Sequence, residues 1–143
     1  KNIYDNNLLK DFLPLKSDLY KLLDILYHEA SNTNTGYINY HTAVKKAVCY
    51  ISSHLDSNID IDSVADHAGL SRKYFYKVFK DAMGITPNQF ILKLRLDKAK
   101  KLLLETNLPI SQVGYECGFL DHVYFSYVFK REERVTPRQY RLR

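Results

Sequence analysis

The chain has 143 residues, 45% hydrophobic and 26% charged, with a net charge of +5. That length and balance suit one domain with an attached element, able to bury a real core. No apolar run approaches the roughly 20 residues that a membrane-spanning helix needs, and no signal-peptide pattern follows Lys1. A piece of a longer cytoplasmic protein is expected. Its two cysteines, Cys49 and Cys117, have no further cysteines at metal-ligand spacing. Two buried thiols in a reduced chain are therefore expected, with neither a metal nor a cofactor.

Residues 1–40 hold four lysines (Lys1, Lys10, Lys16, Lys21) against five acids (Asp5, Asp11, Asp18, Asp24, Glu29), a net charge of −1 that leaves +6 for residues 41–143. The basic character sits in the C-terminal part and points to a polyanionic partner there. In the first segment Leu8, Phe12, Leu15, Leu19, Leu22 and Leu26 recur at alternating steps of four and three, a heptad-like seam interrupted by Pro14. A helix over about 15–30 is predicted. Two readings of it stand side by side: a helix whose apolar face packs on an absent domain, or a helix over 8–30 that pairs two chains as a homodimer. The polar run 31–36 reads as a linker. An amphipathic helix is predicted over 41–54, with Val44, Val48, Ile51 and Leu55 on one stripe.

From there the sequence repeats itself, which decides the architecture. Phe75-Tyr76-Lys77-Val78-Phe79-Lys80 returns 50 residues later as Phe125-Ser126-Tyr127-Val128-Phe129-Lys130. Ile85-Thr86-Pro87-Asn88-Gln89-Phe90 returns as Val135-Thr136-Pro137-Arg138-Gln139-Tyr140. Ile61, Val64, Ala65 and Gly69 return as Ile110, Val113, Gly114 and Gly118, one residue closer. Each copy reads as a short helix, a tight turn and a second helix. In the first copy, 61–68 has one apolar face, Gly69 suits a left-handed stop, and Ser71 suits an N-cap. Phe75, Val78 and Phe79 then point inward. In the second, Asp121 is the N-cap and Phe125, Val128 and Phe129 face the core. Thr86 and Thr136 with Pro and Gln behind them form capping boxes. The first box starts a long helix over 87–105, with Phe90, Leu94, Ala99, Leu102 and Leu103 available for burial. It stops before Asn107 and Pro109. The expected fold is all-α: helix-turn-helix subdomains at 61–80 and 110–130, joined by the connector helix and preceded by an N-terminal amphipathic helix.

These residues resemble the C-terminal DNA-binding domain of the AraC/XylS family of bacterial transcription regulators. The resemblance covers about 40–143 and rests on the duplicated pattern, on Arg95-Leu96-Asp97-Lys98-Ala99-Lys100-Lys101-Leu102-Leu103, and on Ile110-Ser111-Gln112-Val113-Gly114-Tyr115-Glu116-Cys117-Gly118-Phe119. It implies seven helices, with two helix-turn-helix units held apart by a rigid helix. It makes 37–143 the DNA-binding domain and 1–36 the end of a ligand-sensing, dimerising domain. It also implies sequence-specific binding of double-stranded DNA, effector-responsive regulation, RNA polymerase as a further partner, and a cytoplasmic, nucleoid-associated location. Two residues depart from the family pattern. Arg134 stands where the first repeat has Gly84, so the helix stop there uses another geometry or Arg134 accepts strain. Tyr127 stands where the family often has arginine, and tyrosine cannot make a bidentate guanine contact.

With Phe75, Val78 and Phe79 inward, Arg72, Lys73, Tyr76, Lys77 and Lys80 turn outward. Early residues of a recognition helix meet base edges, so Lys73, Tyr76, Lys77 and Arg72 are the base-edge candidates of the first unit. His122, Val123, Ser126 and Tyr127 are those of the second. Val123 suits a thymine methyl and Ser126 suits either base type. Ser71 at a helix start, Lys80, Lys130, Arg131 and Arg138 are phosphate candidates. Arg141 and Arg143 read either as phosphate contacts or as a basic tail. Tyr74, Tyr115 and Tyr124 read first as packing residues, and His41, His54 and His67 as surface or core residues. No Gly-rich phosphate loop, carboxylate pair or Ser/His/Asp arrangement suggests an enzyme. A strong reader in the first copy and a softer one in the second are expected.

Overall fold

The computed structural model describes the backbone of residues 35–142 and the side chains of 41–142. The seam at 8–30, with its pairing reading, and Arg143 lie outside the described residues. The chain divides into two compact units, Lys1–Ala43 and Val44–Arg143, and the second carries the repeats. Seven helices lie among the described residues: α1 (Thr35–Ser53), α2 (Ile61–Ala68), α3 (Arg72–Met83), α4 (Pro87–Glu105), α5 (Ile110–Glu116), α6 (His122–Glu133) and α7 (Pro137–Arg141). α1 starts six residues before the expected 41 and takes in Thr35 and Gly36 from the expected linker. Both fall in its first turn, whose backbone N–H groups have no intrahelical partner to lose.

The caps explain most of the boundaries. The Asp60 carboxylate accepts from the Ser63 amide at 3.1 Å, and that bond, with the Asp62 amide, holds its pKa below the usual 3.8. Gly69, at φ +73°, ends α2 in the left-handed conformation. Ser71 occupies the N-cap of α3, but its side chain makes no capping bond. α3 runs three residues past the expected Lys80 and stops at Gly84, φ +73°. At the start of α4, Gln89 Oε1 accepts from the Thr86 amide at 2.9 Å, and Thr136 with Gln139 repeats the geometry at α7. Asp121 accepts from the Tyr124 amide at 2.6 Å and opens α6. Arg134 closes α6 at φ +65°, alone among the described non-glycine residues in having a positive φ. It therefore keeps the geometry of Gly84 and carries a strain of about 1–2 kcal/mol.

Buried side chains collect at both ends of α4. Towards its start lie the buried Phe75, Val78 and Phe79 of α3 with Phe90 and Ile91, and the apolar face of α2 and Val44, Ala47 and Ile51 of α1 are buried as well. The Phe75 and Phe79 rings, and the Phe79 and Phe90 rings, lie 5.4 Å apart, in reach of favourable edge contacts. Towards its end, Leu96, Ala99 and Leu103 pack with Val113, Cys117, Phe119, Phe125, Val128 and Phe129. Of the side chains expected to be buried on α4, Leu94 and Leu102 are only half-buried, while Ile91 and Leu96 are fully covered. The helix serves two cores in turn, so its apolar face shifts between Ile91 and Leu96 and does not follow one stripe. Gly114 stands where the first repeat has Ala65, because a Cβ there would meet the Phe125 ring at 3.0 Å.

Candidate nucleic-acid interface

α3 and α6 are the second helices of the two repeats, and their inner faces are anchored by equivalent side chains. Phe75, Val78 and Phe79 fix one, Phe125, Val128 and Phe129 the other. The remaining faces are thereby turned out. Arg72, Lys73, Lys77 and Lys80 are exposed, and Tyr76 is half-buried. Among the described residues Lys73, Lys77 and Lys80 have no ion-pair partner, whereas Arg72 pairs with Asp62 of α2 at 2.6 Å. Tyr76 accepts at its hydroxyl from the Asn88 side-chain amide at 2.9 Å, which ties it back to the start of the connector. Ser71 is exposed at the head of the helix.

On the second unit His122, Val123, Tyr127, Lys130, Arg131 and Arg138 are exposed and Ser126 is half-buried. The Ser126 hydroxyl donates to the His122 carbonyl at 2.9 Å, a bond within its own helix. Arg131 is held by its neighbour Glu132 at 2.7 Å. α3 has four cations against one acid, while α6 has two against two. The second face is instead apolar and aromatic: Leu120 is 77% exposed, Val123 64% and Tyr127 63%, beside exposed Tyr115 and Tyr124.

Residues 64–143 match the family profile described as a helix-turn-helix domain. The regulatory protein PocR of Salmonella typhimurium is 35% identical over 113 residues, 79% of this chain and 37% of PocR. A transcriptional regulator from Chromobacterium violaceum, described among AraC-type DNA-binding domain-containing proteins, superposes with a TM-score of 0.65 at 31% identity. That match covers 70% of this chain and 89% of the other. The chain belongs to the AraC/XylS family. The DNA-binding domain of AdpA, a global transcriptional factor solved in complex with a target DNA, superposes on this AraC-type domain with a TM-score of 0.67 at 27% identity. That match covers 69% of this chain and 89% of AdpA's domain. The match spans 37% of PocR, so this chain corresponds to little more than a third of that relative's length.

Several expectations for this AraC-type domain are corrected by its packing. Tyr74, Tyr115 and Tyr124 are about half exposed, Tyr115 and Tyr124 keeping ring contacts at 6.5 Å with His122 and Phe119. Cys49 is exposed on α1, one position off the buried stripe of Val44, Ala47 and Ile51. Cys117 is buried as expected and caps the end of α5; burial pushes its thiol up to about 12. Arg141 is not a loose tail. It is half-buried and donates to the Leu108 carbonyl at 2.6 Å, fastening α7 across the loop before α5. Asp62 and Asn88, which hold Arg72 and Tyr76, carried no signal at the sequence level, because the second copy has Ser111 and Arg138 at the matching positions and does not repeat them.

Proposed function

We propose that this chain binds double-stranded DNA sequence-specifically through α3 and α6, each in its own major-groove segment, and so regulates bacterial transcription. The observation that carries this reading is the duplicated, outward-facing second helix, seated on a core at either end of one connector. In the first unit Lys73 and Lys77 meet base edges, with Tyr76 held in register by Asn88. Arg72 joins them by exchanging Asp62 for DNA, an exposed ion pair worth no more than about 1 kcal/mol. Ser71 and Lys80 bind phosphate. In the second unit Val123 and Tyr127 touch base edges with His122 and Ser126, Val123 against a thymine methyl. Lys130, Arg131 and Arg138 hold the backbone.

Adjacent groove segments on one DNA face lie about 34 Å apart. A mismatch between that spacing and the connector is met by bending, at roughly 1–6 kcal/mol. Residues 37–143 form the DNA-binding domain in this reading, and 1–36 end a regulatory domain that makes binding effector-responsive. RNA polymerase and a second copy of the chain are the further partners of such a regulator. Selection of bound sequences from a random DNA pool, read at two salt concentrations and followed by footprinting, tests the core of this. Two protected groove segments of unlike sequence are expected from one chain; a single protected segment contradicts it.

A further inference from the structure

We propose that Arg95 is a positioning residue that clasps the two helix-turn-helix units together and thereby sets the half-site spacing the protein accepts. The proposal rests on the two-helix reading above. Arg95 sits on the connector between Ile91, buried towards the first unit, and Leu96, in the second core. Its Nε donates to the Leu55 carbonyl at 3.3 Å and its Nη2 to the Ser57 carbonyl at 2.7 Å. Both acceptors lie in the loop between α1 and α2, on the side of the first unit. The same guanidinium lies 5.8 Å from the centre of the Phe119 ring, in the turn of the second unit, within cation–π range. One side chain thus touches both units at once.

The seam it spans is tight. A Cβ on Gly118 would lie 2.3 Å from the Leu55 oxygen and 3.0 Å from Arg95 Nε and Nη2. Gly69, the matching residue of the first repeat, has nothing within 4 Å of the same point. The close approach is therefore no property of the repeated motif but a junction between its two copies. Apolar stripes on a helix tolerate small rotations of what packs on them, whereas a planar guanidinium bonded to two carbonyls fixes direction as well as distance. Burial pushes the Arg95 pKa down, yet a guanidinium keeps its charge at any working pH. Parting the units would break both carbonyl bonds and the ring contact together, so the clasp resists opening.

The consequence is a spacing rule. One base pair inserted between the half-sites turns the second groove by roughly 35° about the DNA axis, and a rigid clasp cannot follow. The test uses the full chain with Arg95→Ala and Arg95→Lys, the latter keeping charge and stem without the fork. Without DNA, residual dipolar couplings of 44–86 and 108–142 are expected to fit one alignment tensor in the wild type and two in Arg95→Ala. With DNA, one inserted base pair is expected to weaken the wild type by about tenfold or more, and the variant by under about threefold. Arg95→Lys falls between and remains informative should Arg95→Ala unfold. One tensor and an unchanged insertion penalty in the variants overturn the role of Arg95, whatever happens to their melting temperatures. A wild type with one tensor but indifferent to the insertion overturns the two-groove reading, and the spacing role with it.

Discussion

Gly118→Ala isolates the seam between the two units, because the repeat supplies its own control. Gly69 and Gly118 share the left-handed backbone, at φ +73° and +82°, so alanine at either carries a common penalty of about 1–2 kcal/mol. At Gly69 the added methyl meets open space, while at Gly118 it meets the Leu55 carbonyl at 2.3 Å, well inside van der Waals contact. That obstacle is backbone, and the Arg95 guanidinium behind it is already bonded to the same carbonyl. Relief requires the two units to part, an overpacking cost of about 1–3 kcal/mol. Gly69→Ala should therefore lose about 1–2 kcal/mol and Gly118→Ala about 2–5 kcal/mol, against a total stability on the order of 5–15 kcal/mol. Urea unfolding of the full chains, read as midpoint shifts at constant slope, measures both. Losses equal to within about 0.5 kcal/mol would refute the tight junction, since that is near the resolution of the comparison.

The recognition faces predict a split between two lysines. Lys77→Ala should lower affinity for the selected site by about 1–3 kcal/mol, while Lys80→Ala weakens binding to all sequences alike and lowers the salt slope by about 1; competition binding at several salt concentrations separates them. Arg134→Gly should raise stability by about 1 kcal/mol through relief of its left-handed backbone, visible as a melting-point rise of several degrees; an unchanged or lower melting point would count against strain at that stop. Thiol titration of the native chain should modify Cys49 alone, exposed as it is, and reach Cys117 only in denaturant. The Cys117 thiol, held up at about 12 against an ordinary 9.0, ionises first in the unfolded chain. Its contribution to stability is present below pH 9.0 and lost as pH rises towards about 12; Cys117→Ala should flatten that alkaline decline relative to wild type.

Local rules read much of this molecule from its residues. The buried face of α2, the inward phenylalanines of α3 and α6, and both capping boxes follow from helical period and cap chemistry acting within a few residues. Those forces are short in range, so the order of side chains along the chain suffices to place them. The same period turned Lys73, Lys77, Val123 and Tyr127 outward, as the structure has them. It did not reveal that Arg72 is paired with Asp62, or that Tyr76 is bonded to Asn88, because those partners come from neighbouring helices. The exposed tyrosines show the same limit: an aromatic ring packs or projects according to whether another helix happens to lie over it.

The duplicated helix-turn-helix, its caps and its unequal outer faces were determined by the sequence alone, through interactions spanning one or two turns. How the two copies are joined was decided only in three dimensions. Arg95 reaches acceptors 40 and 38 residues away, and Arg141 one 33 residues away. Gly118 looks like Gly69 in sequence and differs from it only by what stands beside it. Contacts of that separation depend on where the chain returns, and no local periodicity encodes that.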